Sequence, residues 1–200
     1  MIDLYTSTTP NGRKVSVMLE EVGLPYTVHA LDLKKGEQAS PEYRSKNPNG
    51  KIPAIVDRDG PVTLFESGAI LIYLADKTGK LLARSGQDRY EALAWLMFQM
   101  SAVGPMFGQM FHFATVAPEK IPYAIERYTN EAMRVLGVLD AQLGIKPYLA
   151  GEYSIADVAT YPWVSGMIER MAGGVKFDHV SRWLALVGER PAVQRGMKVP

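Results

Sequence analysis

The sequence predicts two domains of different class, a small mixed α/β domain followed by an all-helical one. Three observations carry this. Strand and helix signals alternate over residues 1–79, the strand signals stop after Thr78-Gly79, and 200 residues at 47% hydrophobic content can bury substantial cores.

Residues 2–5 are a short apolar run that reads as a buried strand. Pro10-Asn11-Gly12 punctuates the chain, and Val15, Met18, Leu19 and Val22 then recur at helical spacing until Gly23 closes the helix. Residues 26–33 are β-branched and aromatic, a second strand, and the helical crossover makes the pair parallel. Residues 38–47 are a polar loop or short helix. Residues 52–56 and 62–65 are two further strands, with Asp59-Gly60 between them as a hairpin signal. Residues 67–77 form an amphipathic helix. The order βαβ, loop, ββα over residues 1–79 is a thioredoxin-like pattern. Beyond a short linker, residues 84–101, 122–143, 154–171 and 179–189 read as helices, so residues 85–200 are assigned to the all-helical domain, with Gly104-Pro105 expected to interrupt its first helix. Ser154-Ile155-Ala156-Asp157 is a capping-box variant in which the Ser154 hydroxyl would accept from the Asp157 N–H and the Asp157 carboxylate would reach back, with Tyr153 and Val158 as a hydrophobic staple. Asp157 is thus read as a folding residue.

Lys plus Arg is 22 and Asp plus Glu is 21, a formal charge of +1 that offers no general field for nucleic acid or anionic lipid. The start lacks a signal-peptide pattern and the longest apolar run, 69–75, is too short to span a bilayer, so a cytoplasmic protein without a membrane is expected. His29, His112 and His179 lack metal-ligand spacing, and no metal is expected. There are no cysteines, so any thiol chemistry must use a ligand's thiol.

Three short segments stand out in the first domain: Thr9-Pro10-Asn11-Gly12, Asn49-Gly50-Lys51-Ile52-Pro53 and Phe65-Glu66-Ser67-Gly68. Pro53 cannot donate to a ladder, so it belongs at a strand start or edge, where the Ile52 backbone can pair with an extended ligand. Ser67 at a helix start suits a carboxylate, and Glu66 beside it suits an ammonium, which together describe an α-amino acid end. Taken alone, that pair reads more simply as Ser67 capping its own helix while Glu66 favours the dipole.

Taken together, these motifs, the helical second domain and the Ser-x-x-Asp box resemble the glutathione transferase superfamily over essentially the whole chain. Leu4-Tyr5 with Thr9-Pro10-Asn11-Gly12, residues 52–57, residues 64–70, and Ile121-Pro122-Tyr123-Ala124-Ile125-Glu126-Arg127-Tyr128 resemble its bacterial Nu class. The resemblance implies the glutathione transferase fold, a cis Ile52-Pro53 bond, Ile52 backbone pairing with the cysteinyl unit of glutathione, Glu66 and Ser67 at the γ-glutamyl end, and Gln38 and Lys51 near the other end. It also implies Thr9 and Asn11 beside the sulfur, Arg127 as a contributor from the helical domain, a homodimer, and glutathione-dependent disulfide reduction with weaker transferase and peroxidase activity. A conjugating transferase and a non-catalytic module of the same fold are the alternatives.

A thiol of pKa near 8.5 is about 3% ionised at pH 7, and lowering it by about two units needs about 2.7 kcal/mol. One donor to the charged sulfur plus a helix dipole can supply that, and Thr9 or Asn11 is placed to be the donor. Tyr5, Ser7 and Thr8 are nearby competitors, Tyr5 reading better as a packed strand residue. The apolar segment from Trp95 to Phe113 reads as core or subunit contact, and Arg127 with Glu131 as a solvated helix pair unless the resemblance holds.

Overall fold

The computed structural model describes residues 1–171 and 175–200. Met1–Arg84 and Gly188–Pro200 form one unit, Ser85–Val187 the other.

In the first unit β1 (Ile2–Thr6) pairs in parallel with β2 (Tyr26–Ala30) and antiparallel with β3 (Ala54–Asp57), which pairs antiparallel with β4 (Val62–Phe65), giving the order β2-β1-β3-β4. Alternation along β1 sends Ile2, Leu4 and Thr6 to the face covered by α1 (Pro10–Val22), where they are buried, and Tyr5 to the other face, against Tyr43 of α2 (Pro41–Arg44). α3 (Ser67–Thr78) packs on α1, and Val15, Met18, Leu19, Ile55, Ile70, Leu71 and Leu74 close the core. Gly23 ends α1 in the left-handed conformation, its N–H bonded to the Leu19 carbonyl, as the sequence predicts.

Two strand ends differ from expectation. β2 stops at Ala30 rather than at residue 33, because β1 runs out: Leu31 N–H makes the last bond, to the Thr6 carbonyl. β3 begins at Ala54 rather than at residue 52, since Pro53 has no N–H and follows a cis bond from Ile52.

The C-terminal residues also depart from the predicted boundary, which gave 85–200 to the second domain. α9 (Pro191–Gly196) docks on α1: the Ser16 hydroxyl donates to the Gly196 carbonyl at 2.7 Å, and Arg190 and Arg195 pair with Glu21 and Glu20. A Cβ on Gly196 would lie 2.4 Å from Val17 Cα, so glycine permits the approach.

The second unit contains α4 (Gln87–Phe98), α5 (Gly104–Phe111), α6 (Pro122–Ile145), α7 (Ile155–Met171) and α8 (Asp178–Gly188). Gly104-Pro105 does not interrupt the helix. A π-helical turn at Gln99–Val103 joins α4 to α5 and places Pro105 in the first turn of α5, where a missing N–H is least costly; a second such turn spans His112–Val116. Phe107 and Met110 are buried while Met97 is about half exposed, so the apolar segment divides between core and surface. Asp157 is buried and takes the N–H groups of Leu149 and Ser154 and the Trp183 indole N–H, at 3.1, 3.0 and 2.9 Å. The Ser154 hydroxyl accepts from Ala156 N–H rather than from Asp157, whose N–H bonds the Ser154 carbonyl. Val158 is buried, but the Tyr153 ring meets Tyr148 edge-on.

Candidate functional site

Three segments of the first unit carry the groups singled out in the sequence. The first is the turn from β1 into α1. Thr9 is the N-cap, extended at φ −137° and ψ 158°, and its Oγ1 accepts from Gly12 N–H at 3.2 Å. An accepting hydroxyl keeps its own hydrogen for a further partner, so Thr9 can donate to an anion at the helix start. Asn11 follows within the first turn, half-buried. The approach of this turn to the sheet is possible because residue 12 is glycine: a Cβ there would lie 2.3 Å from Thr6 Oγ1 and 2.4 Å from the Ser7 carbonyl oxygen.

The second segment is the loop before β3. The Lys51 carbonyl accepts from Tyr43 Oη at 2.6 Å and from the Asn47 side-chain amide, so the backbone leading into the cis Ile52-Pro53 bond is held from both sides. Ile52 itself precedes the ladder. Gln38 sits in a short 3₁₀ turn next to Gly50, and its buried Oε1 has no hydrogen-bond partner, an acceptor left for a ligand N–H.

The third segment is the step from β4 into α3. Glu66 occupies the N-cap position at φ 67° and ψ 112°, a left-handed region that costs a residue with a side chain about 1–3 kcal/mol, and it makes no side-chain cap bond. Ser67 is the first helical residue, and its buried Oγ accepts from Lys14 Nζ at 3.3 Å. The simpler reading of this motif, Ser67 as its own cap, is therefore not what forms. The first N–H groups of α3 point out of the helix start, with a hydroxyl and a carboxylate beside them.

Tyr5 lies elsewhere. Its ring stacks on His29 at 4.5 Å with Lys46 Nζ 5.1 Å from its centroid, on the face of the sheet opposite α1, and burial pushes its phenol up, away from ionisation.

Arg127 belongs to the second unit, on α6. It lines a cleft of about 640 Å³ with Met106, Tyr123, Tyr128, Asn130 and Arg134. The expected Arg127–Glu131 pair is replaced: Arg134 takes Glu131 with two bonds, at 2.7 and 2.8 Å, and holds its carboxyl low, Arg127 adding only its more distant charge.

Lys14 escaped the sequence reading although a signal existed. It precedes Met18 by four residues and so falls on the apolar stripe of α1, where a charged side chain needs a reason.

Known proteins resemble the chain in sequence and fold. The chain matches the N-terminal domain of glutathione S-transferase over residues 8–77 and its C-terminal domain over residues 103–191. It is 46% identical to the disulfide-bond oxidoreductase YfcG of Escherichia coli, over 98% of this chain and 94% of that protein, and 42% identical to YghU of the same organism, over 98% and 73%. A glutathione transferase from Pseudomonas putida, solved with one glutathione disulfide bound per subunit, superposes with a TM-score of 0.95 at 49% identity, covering 100% of this chain and 91% of that one. With two domain matches in the expected order and relatives this similar over nearly its whole length, the chain belongs to the glutathione S-transferase family.

Proposed function

We propose that this protein reduces disulfide bonds with glutathione, through a ligand thiolate held at the start of α1. The observation that carries the reading is the Thr9 hydroxyl, committed as acceptor to Gly12 N–H and so left to donate, in a chain that has no thiol of its own. The relatives named disulfide-bond oxidoreductases and the neighbour holding glutathione disulfide support it.

The Ile52 backbone would pair with the cysteinyl unit, Glu66 and Ser67 would hold the γ-glutamyl ammonium and carboxylate, and Gln38 and Lys51 would meet the glycyl end. Thr9 and Asn11 would donate to the sulfur. The thiolate attacks one sulfur of the substrate disulfide, forming a mixed disulfide and releasing the other sulfur as a thiolate that takes a proton. A second glutathione thiolate attacks the mixed disulfide at the glutathione sulfur, giving glutathione disulfide and the second reduced thiol. Two glutathione thiols are oxidised and one substrate disulfide takes up two electrons and two protons. Arg127 is assigned to a carboxylate of the second glutathione. The exposed Tyr90 and Met97 on α4 favour a homodimer, which sedimentation at low micromolar concentration tests.

The decisive experiment is a paired steady-state assay with a small mixed disulfide and a chloronitrobenzene, each with glutathione. Faster turnover of the disulfide is expected. A wide margin in favour of the chloronitrobenzene would establish the conjugating transferase instead.

A further inference from the structure

Gly50 is crowded from two sides. Its φ of 63° is left-handed, and a Cβ there would meet the Gln38 carbonyl oxygen at 3.2 Å and Arg44 Nε at 3.4 Å, with a terminal guanidinium nitrogen at 3.8 Å. Arg44, the last residue of α2, therefore lays its guanidinium against Gly50, next to Gln38 and one residue before Lys51. We propose that Arg44 is a specificity-determining residue for the ligand: its guanidinium takes the glycyl carboxylate of glutathione in a fork and selects for a charged end there. This rests on the placing of the glycyl end beside Gln38 and Lys51.

The register of the sheet sets where that end falls. Ala54 pairs with Phe65, so Glu66 follows at the level of Pro53 and α3 begins on that side. A peptide that leaves its first residue at α3 and pairs its middle residue with Ile52 runs away from α3. Its last residue then comes about 3.5 Å further on, beside Lys51 and Gly50. The buried Gln38 Oε1 has no hydrogen-bond partner, but an amide oxygen repels a carboxylate and suits the peptide N–H before the last residue. The charge of the carboxylate must be met by cations.

Arg44 has that charge to give. Among the described residues no carboxylate pairs with it, whereas Arg58, Arg134, Arg190 and Arg195 each hold an Asp or a Glu. Glu37 and Glu42, acids of the same segment, line a small cavity with Tyr5 and Lys46 in which Arg44 has no part. Lys46 is engaged there, its Nζ over the Tyr5 ring and donating to the Glu42 carbonyl. Arg44 and Lys51 remain beside Gly50, and they differ in kind. A guanidinium offers a planar fork that matches both carboxylate oxygens, an ammonium a point charge on a flexible stem. The fork makes Arg44 the selective one.

Calorimetric titration of the full chain with S-methylglutathione and with its glycyl ethyl ester, which differ by one charge, tests this. Wild type is expected to bind the acid about tenfold more tightly than the ester. Arg44→Met keeps an apolar stem and should cut that preference to about two- to threefold by weakening the acid alone, and Arg44→Lys should restore only part of it. A full preference kept by Arg44→Met overturns the inference. So does a loss that falls equally on acid and ester, because that marks a role in holding the loop. Two further results separate the claims. If Lys51→Met abolishes the preference while Arg44→Met keeps it, the glycyl end lies where it was placed and only the role of Arg44 falls. If wild type binds acid and ester alike, the placing of the glycyl end falls and the inference with it.

Discussion

Thr9→Val removes one hydroxyl with two duties, and the two losses are measured separately. The Gly12 N–H bond to Oγ1 is a helix cap, whose loss lowers stability by about 1 kcal/mol. The hydrogen that this geometry leaves over is the proposed donor to the thiolate, and a hydrogen bond to a charged group is worth about 1.5–3 kcal/mol. At about 1.4 kcal/mol per unit, its loss raises the pKa of the bound thiol by roughly one to two units, and for a thiol held about two units below 8.5 this lowers the thiolate fraction, and with it turnover, at pH 7 about 3- to 25-fold. The Michaelis constant should change little, because the ends of the peptide are held by other groups. Thr9→Ser keeps both bonds and should keep most of the activity. The assay is the ultraviolet absorbance of bound glutathione thiolate against pH, beside disulfide turnover and a urea titration. Tyr5→Phe is the control, expected to be silent because its ring lies against His29 on the far face of the sheet. If Thr9→Val and Asn11→Ala each leave turnover unchanged while Tyr5→Phe abolishes it, the tyrosine activates the sulfur and the assignment of Thr9 is refuted.

Gly12→Ala places a methyl 2.3 Å from Thr6 Oγ1, so the start of α1 must shift; a stability loss of about 1–3 kcal/mol by urea titration and a loss of turnover beyond tenfold are expected. Asp157→Ala leaves three buried N–H donors without their acceptor and should cost about 3–5 kcal/mol in the same titration, with little effect on the residual folded activity. Arg127→Ala should raise the Michaelis constant for glutathione or the disulfide several-fold in steady-state kinetics and spare turnover. Glu66→Gly should raise the unfolding free energy by about 1 kcal/mol in the urea titration while weakening glutathione binding in calorimetry.

Elements whose signals are local were legible in the sequence. Alternating apolar runs located four strands, Gly23 marked the end of α1, and the residues after Gly79 read as helical. What failed depends on partners distant in sequence. Nothing within 26–33 says that β2 must stop at Ala30, because the limit is set by the last residue of β1. Pro105 reads as a breaker by its own chemistry, and is accommodated because a π turn one step earlier absorbs the missing donor. The docking of α9 on α1 rests on contacts between residues some 180 positions apart, such as Ser16 with Gly196, for which no local period exists. Of the candidate site, the segments were legible and their internal bonding was not: Ser67 suggested a cap, and only the packing of α3 on α1 shows that its hydroxyl oxygen accepts from Lys14.

Glu66 shows how strain separates a structural reading of a motif from a functional one. The backbone at this step is left-handed, where glycine sits freely and a glutamate does not, and the helix that follows takes no cap from the Glu66 side chain. A residue retained only to start α3 would be served better by glycine for the conformation, or by serine, threonine or aspartate for the cap. The glutamate serves neither need; within the fold its carboxylate is the charge that acts on the buried Lys14 ammonium, and the proposed function gives it a second task, the ligand's ammonium. An anion fixed beside a helix start that itself attracts anions is an unfavourable arrangement for a carboxylate alone, but it suits a ligand that brings an ammonium and a carboxylate on the same carbon.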